Sequence, residues 1–244
     1  MQLADAQYWN AWWEHHVPFP FPPATERQYG TRGYFLRMMD AQGLMPGQTV
    51  IELGGVMSFR LLALAKWRGM KATAVDYAGA GLQLSARWFA ENDCNLETIK
   101  ADFYSLPTDR QFDVVTHWGV AEHETDPAPL LALCARLLKP AGLMVFSMPN
   151  MRGPGAWLWK HWSPGTWAKH IYHSDRTIQQ AAANAGLSCK TLFHGAPYIY
   201  IGPCESTGLF PALAYQAQRF LERFGRPDGW PYAAQHRVFV CRHV

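Results

Sequence analysis

The chain has 244 residues, 49% of them hydrophobic and 17% charged, with a formal net charge of +3. Such a length suits one α/β domain with additions and can bury a full core. There is no run of lysines or arginines, no signal-peptide pattern and no apolar stretch long enough to span a bilayer, so neither nucleic acid nor membrane is favoured as a partner and a cytoplasmic protein is expected.

Residues 1–45 read as an N-terminal helical cap or lid. Tyr8, Trp9, Trp12, Trp13 and His16 recur at helical spacing and form one aromatic face, which would either dock on the domain or cover a substrate. Val17-Pro18-Phe19-Pro20-Phe21-Pro22-Pro23 cannot be helical and predicts an extended connector. Thr25 is a candidate cap for a second helix, whose apolar positions include Tyr29, Tyr34, Phe35 and Met38. The domain proper, residues 46–244, opens with an apolar run over 49–53. That run meets Gly54-Gly55, and helical spacing follows over 59–66: strand, glycine turn, helix.

From there elements alternate. Residues 72–76 predict a strand ending at Asp76, 82–91 a helix, and 96–100 a short strand followed by Ala101-Asp102-Phe103. A fourth strand over 112–118 runs into Gly119-Val120-Ala121-Glu122-His123. A helix carrying Leu130, Leu133, Leu137 and Leu138 is stopped by Lys139-Pro140-Ala141-Gly142, and a fifth strand over 143–148 ends at Pro149-Asn150. This alternation argues for a parallel, doubly wound sheet with helices on both faces. Residues 151–173, rich in Trp, Gly and Pro, predict a short helix and loops. Ser174-Asp175 caps a helix over 176–185 that Gly186 ends, and a strand over 187–193, an amphipathic helix over 210–224 and a last strand over 237–241 follow. Five scattered cysteines (Cys94, Cys134, Cys189, Cys204, Cys241) lack metal-site spacing and fit ordinary buried thiols in a reducing compartment.

The glycine turn points backbone N–H groups and a helix N-terminus at a ligand on the carboxyl edge of the sheet. A dinucleotide site needs its second and third glycines where this chain has Val56 and Phe59, and no Gly-Lys-Ser/Thr of a P-loop occurs. A ligand without phosphates is the better match. Asp76, 22 residues after Gly54, stands where a carboxylate accepts from both hydroxyls of a ribose; otherwise it is a solvated turn residue. Asp102 could accept from an adenine amino group, with Phe103 against the ring.

The order Val50-Ile51-Glu52-Leu53-Gly54, Val75-Asp76, Ala101-Asp102, Phe112-Asp113-Val114-Val115 and Gly119-Val120-x-Glu122-His123 resembles the class I S-adenosylmethionine-dependent methyltransferases. So does Leu138-Lys139-Pro140-x-Gly142 through Met148-Pro149-Asn150. The Gly-Val-x-Glu-His and Pro-Asn signatures resemble its small-molecule branch of the ubiquinone-biosynthesis type, over roughly residues 46–200. The resemblance implies a Rossmann-like seven-stranded sheet with an antiparallel last strand, S-adenosylmethionine as cofactor, S-adenosylhomocysteine as product, and a small aromatic or heterocyclic methyl acceptor. Glu52, Gly54 and Gly55 would then form the loop beside the methionine moiety, Asp76 would hold the ribose, Tyr77 and Phe103 would flank adenine, and Asp102 would read its amino group. His117 and Trp118 would lie near the sulfonium and acceptor. Insertions over 151–173 and 198–235 would cover the acceptor, with Asn150, Trp157, Trp162 and Tyr198 facing it. The family loop carries later glycines where this chain has Val56 and Ser58, so Tyr29 and Arg32 are candidates to complete the cofactor site, Arg32 for its carboxylate.

His123 and His117 are candidate general bases, because histidine titrates near neutrality; Glu122 and His123 could equally be structural. No metal is expected, since His161, His170 and His173 have no carboxylate or cysteine in a ligand pattern with them. Two other readings compete: a catalytically silent S-adenosylmethionine-binding partner or regulator, and a nicotinamide-dependent oxidoreductase.

Overall fold

The computed structural model describes residues 10, 11, 13, 14, 21, 30–197, 209–224 and 234–244. Most of the expected N-terminal aromatic helix and proline connector, Tyr29 and Tyr198 lie outside the described residues. Arg32 falls on a described helix, but its side chain is outside them.

Helix α1 (Gly30–Asp40) precedes β1 (Thr49–Leu53), α2 (Phe59–Arg68), β2 (Lys71–Asp76), α3 (Gly79–Ala90), β3 (Leu96–Lys100) and β4 (Phe112–Trp118). Helix α4 (Ala128–Leu137), β5 (Leu138–Pro149), α5 (Gly153–Trp162), α6 (Pro164–Trp167) and α7 (Asp175–Asn184) follow, then β6 (Leu187–Pro197), α8 (Leu209–Phe224) and β7 (Ala234–His243). Short 3-10 turns at Phe103–Ser105 and Ala121–His123 end the runs after β3 and β4.

The strands form one sheet in the order β3-β2-β1-β4-β5-β7-β6. Strands β1 to β5 are parallel, and β7 is antiparallel to both β5 and β6. This is the Rossmann-like sheet with an antiparallel last strand that the resemblance implies. Strand order reverses between β1 and β4, and the carboxyl edge there opens a crevice.

The central strands are apolar on both faces because helices cover both. One core packs Ile51, Leu53, Val115, Phe146 and Phe239 under α4 and α7; the other packs Val50, Ala74, Val114, Val145 and Val238 under α1, α2 and α3. The helices begin where local chemistry allows. Ser58 caps α2 by accepting from Leu61 N, Gly69 ends that helix with φ +63°, and Ser174 caps α7 by accepting from Thr177 N.

Two expectations are corrected. Leu138 is not the last residue of α4: it opens β5 by pairing with Phe112, and the register then jumps so that Val114 faces Leu143. The Lys-Pro-Ala-Gly stretch bulges between those pairs, held by Lys139 Nζ on Asp113 (2.9 Å). The cysteines are not all ordinary thiols either. Register sets Cys189 of β6 directly opposite Cys241 of β7, and the two form a disulfide; Cys94 and Cys134 are free. Spacing along the chain could not show this, because 52 residues separate the pair.

Candidate functional site

The turn after β1 needs its glycines for its own geometry. Gly54 has φ +70°, and a β-carbon there would lie 3.0 Å from Val120; at Gly55 it would lie 2.9 Å from the Glu52 carbonyl. Both N–H groups donate back to Val75 O. Ser58 stands where the family has a glycine, but its φ of −76° suits any residue, and the positive φ falls on Met57 instead. Met57 N donates to Ser85 Oγ (2.7 Å), and Ser58 Oγ donates to Glu52 Oε2 (2.9 Å). Burial pushes the Glu52 carboxyl up to about 7, although the Ser58 hydroxyl and the charge of Arg60 oppose the rise.

Above this turn a cleft of about 220 Å³ opens along the carboxyl edge of β3, β2, β1 and β4. Phe103, Asp76, Tyr77, Gly54, Val56, Trp118, Gly119 and Val120 line it, with Trp13 from the N-terminal segment and His123 and Glu124 at the far end. Asp76 Oδ1 accepts from Ala78 N (2.7 Å); burial nonetheless lifts this carboxyl to about 6. The Trp118 ring has Phe35 edge-on at 5.3 Å and the Arg60 guanidinium 4.4 Å above it. A larger cavity of about 430 Å³ lies at the amino edge, lined by Thr49, Lys71, Glu97 and Arg110, far from the glycine turn.

At the far end, Nδ1 of His123 donates to Lys169 O (2.6 Å), because a carbonyl can only accept. The lone pair of the neutral ring is therefore on Nε2. Burial holds this histidine below its ordinary pKa, so it is neutral at pH 7. Ile171 N donates to Glu122 O (2.7 Å) and His173 Nε2 to Glu124 O (2.9 Å), which fastens the segment after β5 to the Gly-Val-x-Glu-His turn. The fully buried Arg237 on β7 extends that seam through Nη1 to His173 O (2.8 Å) and Asp175 Oδ1 (2.6 Å).

The expected residues divide. Gly54, Asp76, Tyr77, Phe103, Trp118 and His123 share the cleft, and Glu52 and Gly55 shape its floor. Asp102 is exposed and caps the turn at Tyr104 N (3.0 Å), outside the cleft lining. His117 does not reach the cleft: strand alternation turns it opposite to Trp118, into the core against Phe146 at 4.6 Å, where burial lowers it to about 3. Asn150 is buried with its amide on Ala234 O (2.9 Å). Trp157 is 61% exposed; the buried tryptophan of α5 is Trp159, edge-on to Trp167 (5.0 Å) and His170 (4.9 Å). Of the histidine trio weighed from the sequence, His161 is tied to Trp157 O and His173 to Glu124 O, each through a ring nitrogen. Glu122, His123 and His170 instead bring one ligand-capable atom each within 4.8 Å of one another. Trp13, from the aromatic face expected to dock on the domain or cover a substrate, and Val56, from the altered glycine loop, also line the cleft; Arg60 over the Trp118 ring had no signal in the sequence.

A methyltransferase-domain family model matches residues 24–192. The chain belongs to the S-adenosylmethionine-dependent methyltransferases. Among curated relatives, the chain is 29% identical over 120 residues to the ubiquinone biosynthesis O-methyltransferase of Thiobacillus denitrificans, covering 47% of this chain and 50% of the relative. It is 36% identical over 136 residues to that of Saccharophagus degradans, covering 51% and 57%. The chain thus spans about half the length of the curated relatives it matches. Its fold resembles the magnesium protoporphyrin IX methyltransferase of Synechocystis solved with bound S-adenosylmethionine, with a TM-score of 0.56, 13% identity and coverage of 87% and 77%.

Proposed function

We propose that the cleft binds S-adenosylmethionine and that the chain transfers its methyl group to N, O or S of a small, aromatic or heterocyclic metabolite. The observation that carries the reading is the order of side chains along one sheet edge: an aromatic at β3, a carboxylate at β2, a bare glycine turn at β1 and a tryptophan at β4. That order matches a base, a ribose and an apolar sulfonium. It leaves no place for a pyrophosphate, because Val56 stands where the backbone would have to approach one.

When bound, the cofactor supplies a methyl already activated on a sulfonium. The protein's part is alignment, which can be worth about 7–11 kcal/mol of barrier. Asp76 fixes the sugar, Phe103 and Tyr77 the base, and Trp118 the wall beside the reacting carbon. His123, with Nε2 free to accept, takes the acceptor's proton, a contribution of about 10²–10⁴-fold. His117 is too deeply enclosed for that role. The segment carrying Trp157, Trp159 and Trp162 covers the acceptor side, where aromatic faces suit a flat ring. The names of the curated relatives favour an oxygen acceptor among the three atoms.

Thermal shift with S-adenosylhomocysteine and with NAD tests the cofactor, and release of S-adenosylhomocysteine across phenols, heteroaromatic amines and thiols tests the transfer. Stabilisation by NAD alone would refute the reading. The altered loop at Val56 and Ser58 favours one alternative, a silent cofactor-binding partner, which predicts tight binding with no transfer in that panel.

A further inference from the structure

We propose that Glu122, His123 and His170 hold a zinc ion, and that the ion inhibits methyl transfer by taking the lone pair of His123. The inhibition rests on the reading above, in which His123 removes the acceptor's proton; the site itself does not.

Two segments bring the ligands together. Glu122 and His123 sit on the 3-10 turn after β4, and His170 follows α6. One residue beyond His170, Ile171 N donates to Glu122 O (2.7 Å) and pins the second segment to the turn. One ligand-capable atom from each of the three lies within 4.8 Å of the others, and the imidazole centroids are 4.8 Å apart. An ion with bonds of about 2.0–2.2 Å draws its ligands to roughly 3.4 Å from one another, so the side chains close by at most about 1.5 Å.

The hydrogen bonds leave the ligating atoms over. His123 donates Nδ1–H to Lys169 O (2.6 Å), and His170 donates Nδ1–H to Thr166 O (2.7 Å). Each neutral ring therefore carries its lone pair on Nε2 and is oriented by a carbonyl, the outer support that ligating histidines have. Beside them Glu122 is 2% exposed, and its Oε2 has no hydrogen-bond partner among the described residues. A buried carboxyl oxygen without a partner is costly, and a bound cation supplies one. The charge of Arg237 reaches Glu122, but its hydrogen bonds go to His173 O and Asp175. Burial raises the Glu122 carboxyl to about 8, so entry of the ion displaces a proton. Two imidazole nitrogens and one carboxylate oxygen suit zinc, whereas magnesium and calcium take oxygen ligands. His123 lines the far end of the cleft, which gives the ion a way in. There the ion and the acceptor's proton need the same lone pair, and only one can have it.

The test measures zinc binding and transfer separately. In metal-stripped protein, with zinc competed against a chromophoric chelator, the wild type is expected to take up one ion per chain. His170→Asn keeps a donor for Thr166 O but has no Nε2, and Glu122→Gln keeps the shape of the buried side chain. Each is expected to weaken zinc by at least about 100-fold, beyond the about 10–100-fold that loss of an outer partner costs. Zinc at a concentration that halves wild-type transfer should leave His170→Asn, whose basal turnover is unchanged, unaffected. Equal zinc affinity in the wild type and both variants puts the ion elsewhere, such as on Cys94, and overturns the site. Zinc that binds the wild type but leaves transfer unchanged or raises it overturns the inhibition. A wild type that transfers to no acceptor refutes the functional reading instead, and the competition assay still decides the site.

Discussion

If Asp76 holds the ribose as a carboxylate, cofactor affinity must track its ionisation. Its pKa is raised by burial to about 6, and two backbone N–H groups, of Ala78 and Tyr77, keep it from rising further. Only the ionised form accepts from both sugar hydroxyls, so the apparent dissociation constant grows by the factor 1 + 10^(pKa − pH). Between pH 7.5 and pH 5 that factor rises from near one to about 11, a loss of about tenfold. Calorimetric titration of S-adenosylhomocysteine at half-unit pH steps reads it directly. Asp76→Asn should bind more weakly at pH 7.5 and show a flat profile, since an amide does not titrate in this range. A wild-type affinity constant from pH 7.5 to 5, or an Asn variant that keeps the slope, would refute the ribose assignment.

Glu52 gives a stability test with a definite sign. Its folded pKa of about 7 lies above the ordinary 4.5, so the cost of burying its charge is absent below pH 4.5, grows as pH rises, and is complete above 7. At about 1.4 kcal/mol per tenfold change in proton affinity, Glu52→Gln should stabilise by about 3 kcal/mol at pH 8 and little at pH 4.5; urea melts that show no pH-dependent gain would count against it. Breaking the Cys189–Cys241 link with Cys241→Ser should cost about 2–4 kcal/mol, given the 52 residues it encloses, and reductant should abolish the difference between variant and wild type. A melt that ignores both changes would show that the bridge does not constrain the unfolded chain. His123→Ala should lower turnover of whichever acceptor the panel returns by about 10²–10⁴-fold at neutral pH, with S-adenosylhomocysteine affinity unchanged. Equal turnover would remove His123 from the mechanism.

The sheet was legible because its signals are local. Continuous apolar runs bounded by glycine, acid or proline mark the central strands β1, β2, β4 and β5, buried on both faces, while the edge strand β3, with its polar alternation, was placed by its position in the alternating order. Asp76, Gly54 and Trp118 were legible for a related reason: a doubly wound sheet puts strand ends along one edge, so position in the strand fixes position in the cleft. Orientation was less so. His117 and Trp118 are neighbours at the end of β4, yet pleating sends one into each core, and of the two only Trp118 lines the cleft. Trp157 and Trp159 show the same limit on a helix, where one is exposed and the other fully buried. What was not legible at all is tertiary pairing. Arg60 over Trp118 and Cys189 opposite Cys241 depend on register and packing between elements far apart in the chain.

The position of β7 has a consequence for how this molecule is assembled. During synthesis, β1 to β5 emerge in an order that lets each find a neighbour already made, but β6 must wait, because the strand that separates it from β5 is supplied by residues 234–243. Until those residues leave the ribosome, two hydrogen-bonding edges stand open, which is where a nascent chain is most exposed to mispairing and to chaperone capture. Insertion of that strand also seats Arg237 on the His173 carbonyl and the Asp175 carboxylate, so the segment after β5 is fastened in the same event that completes the sheet.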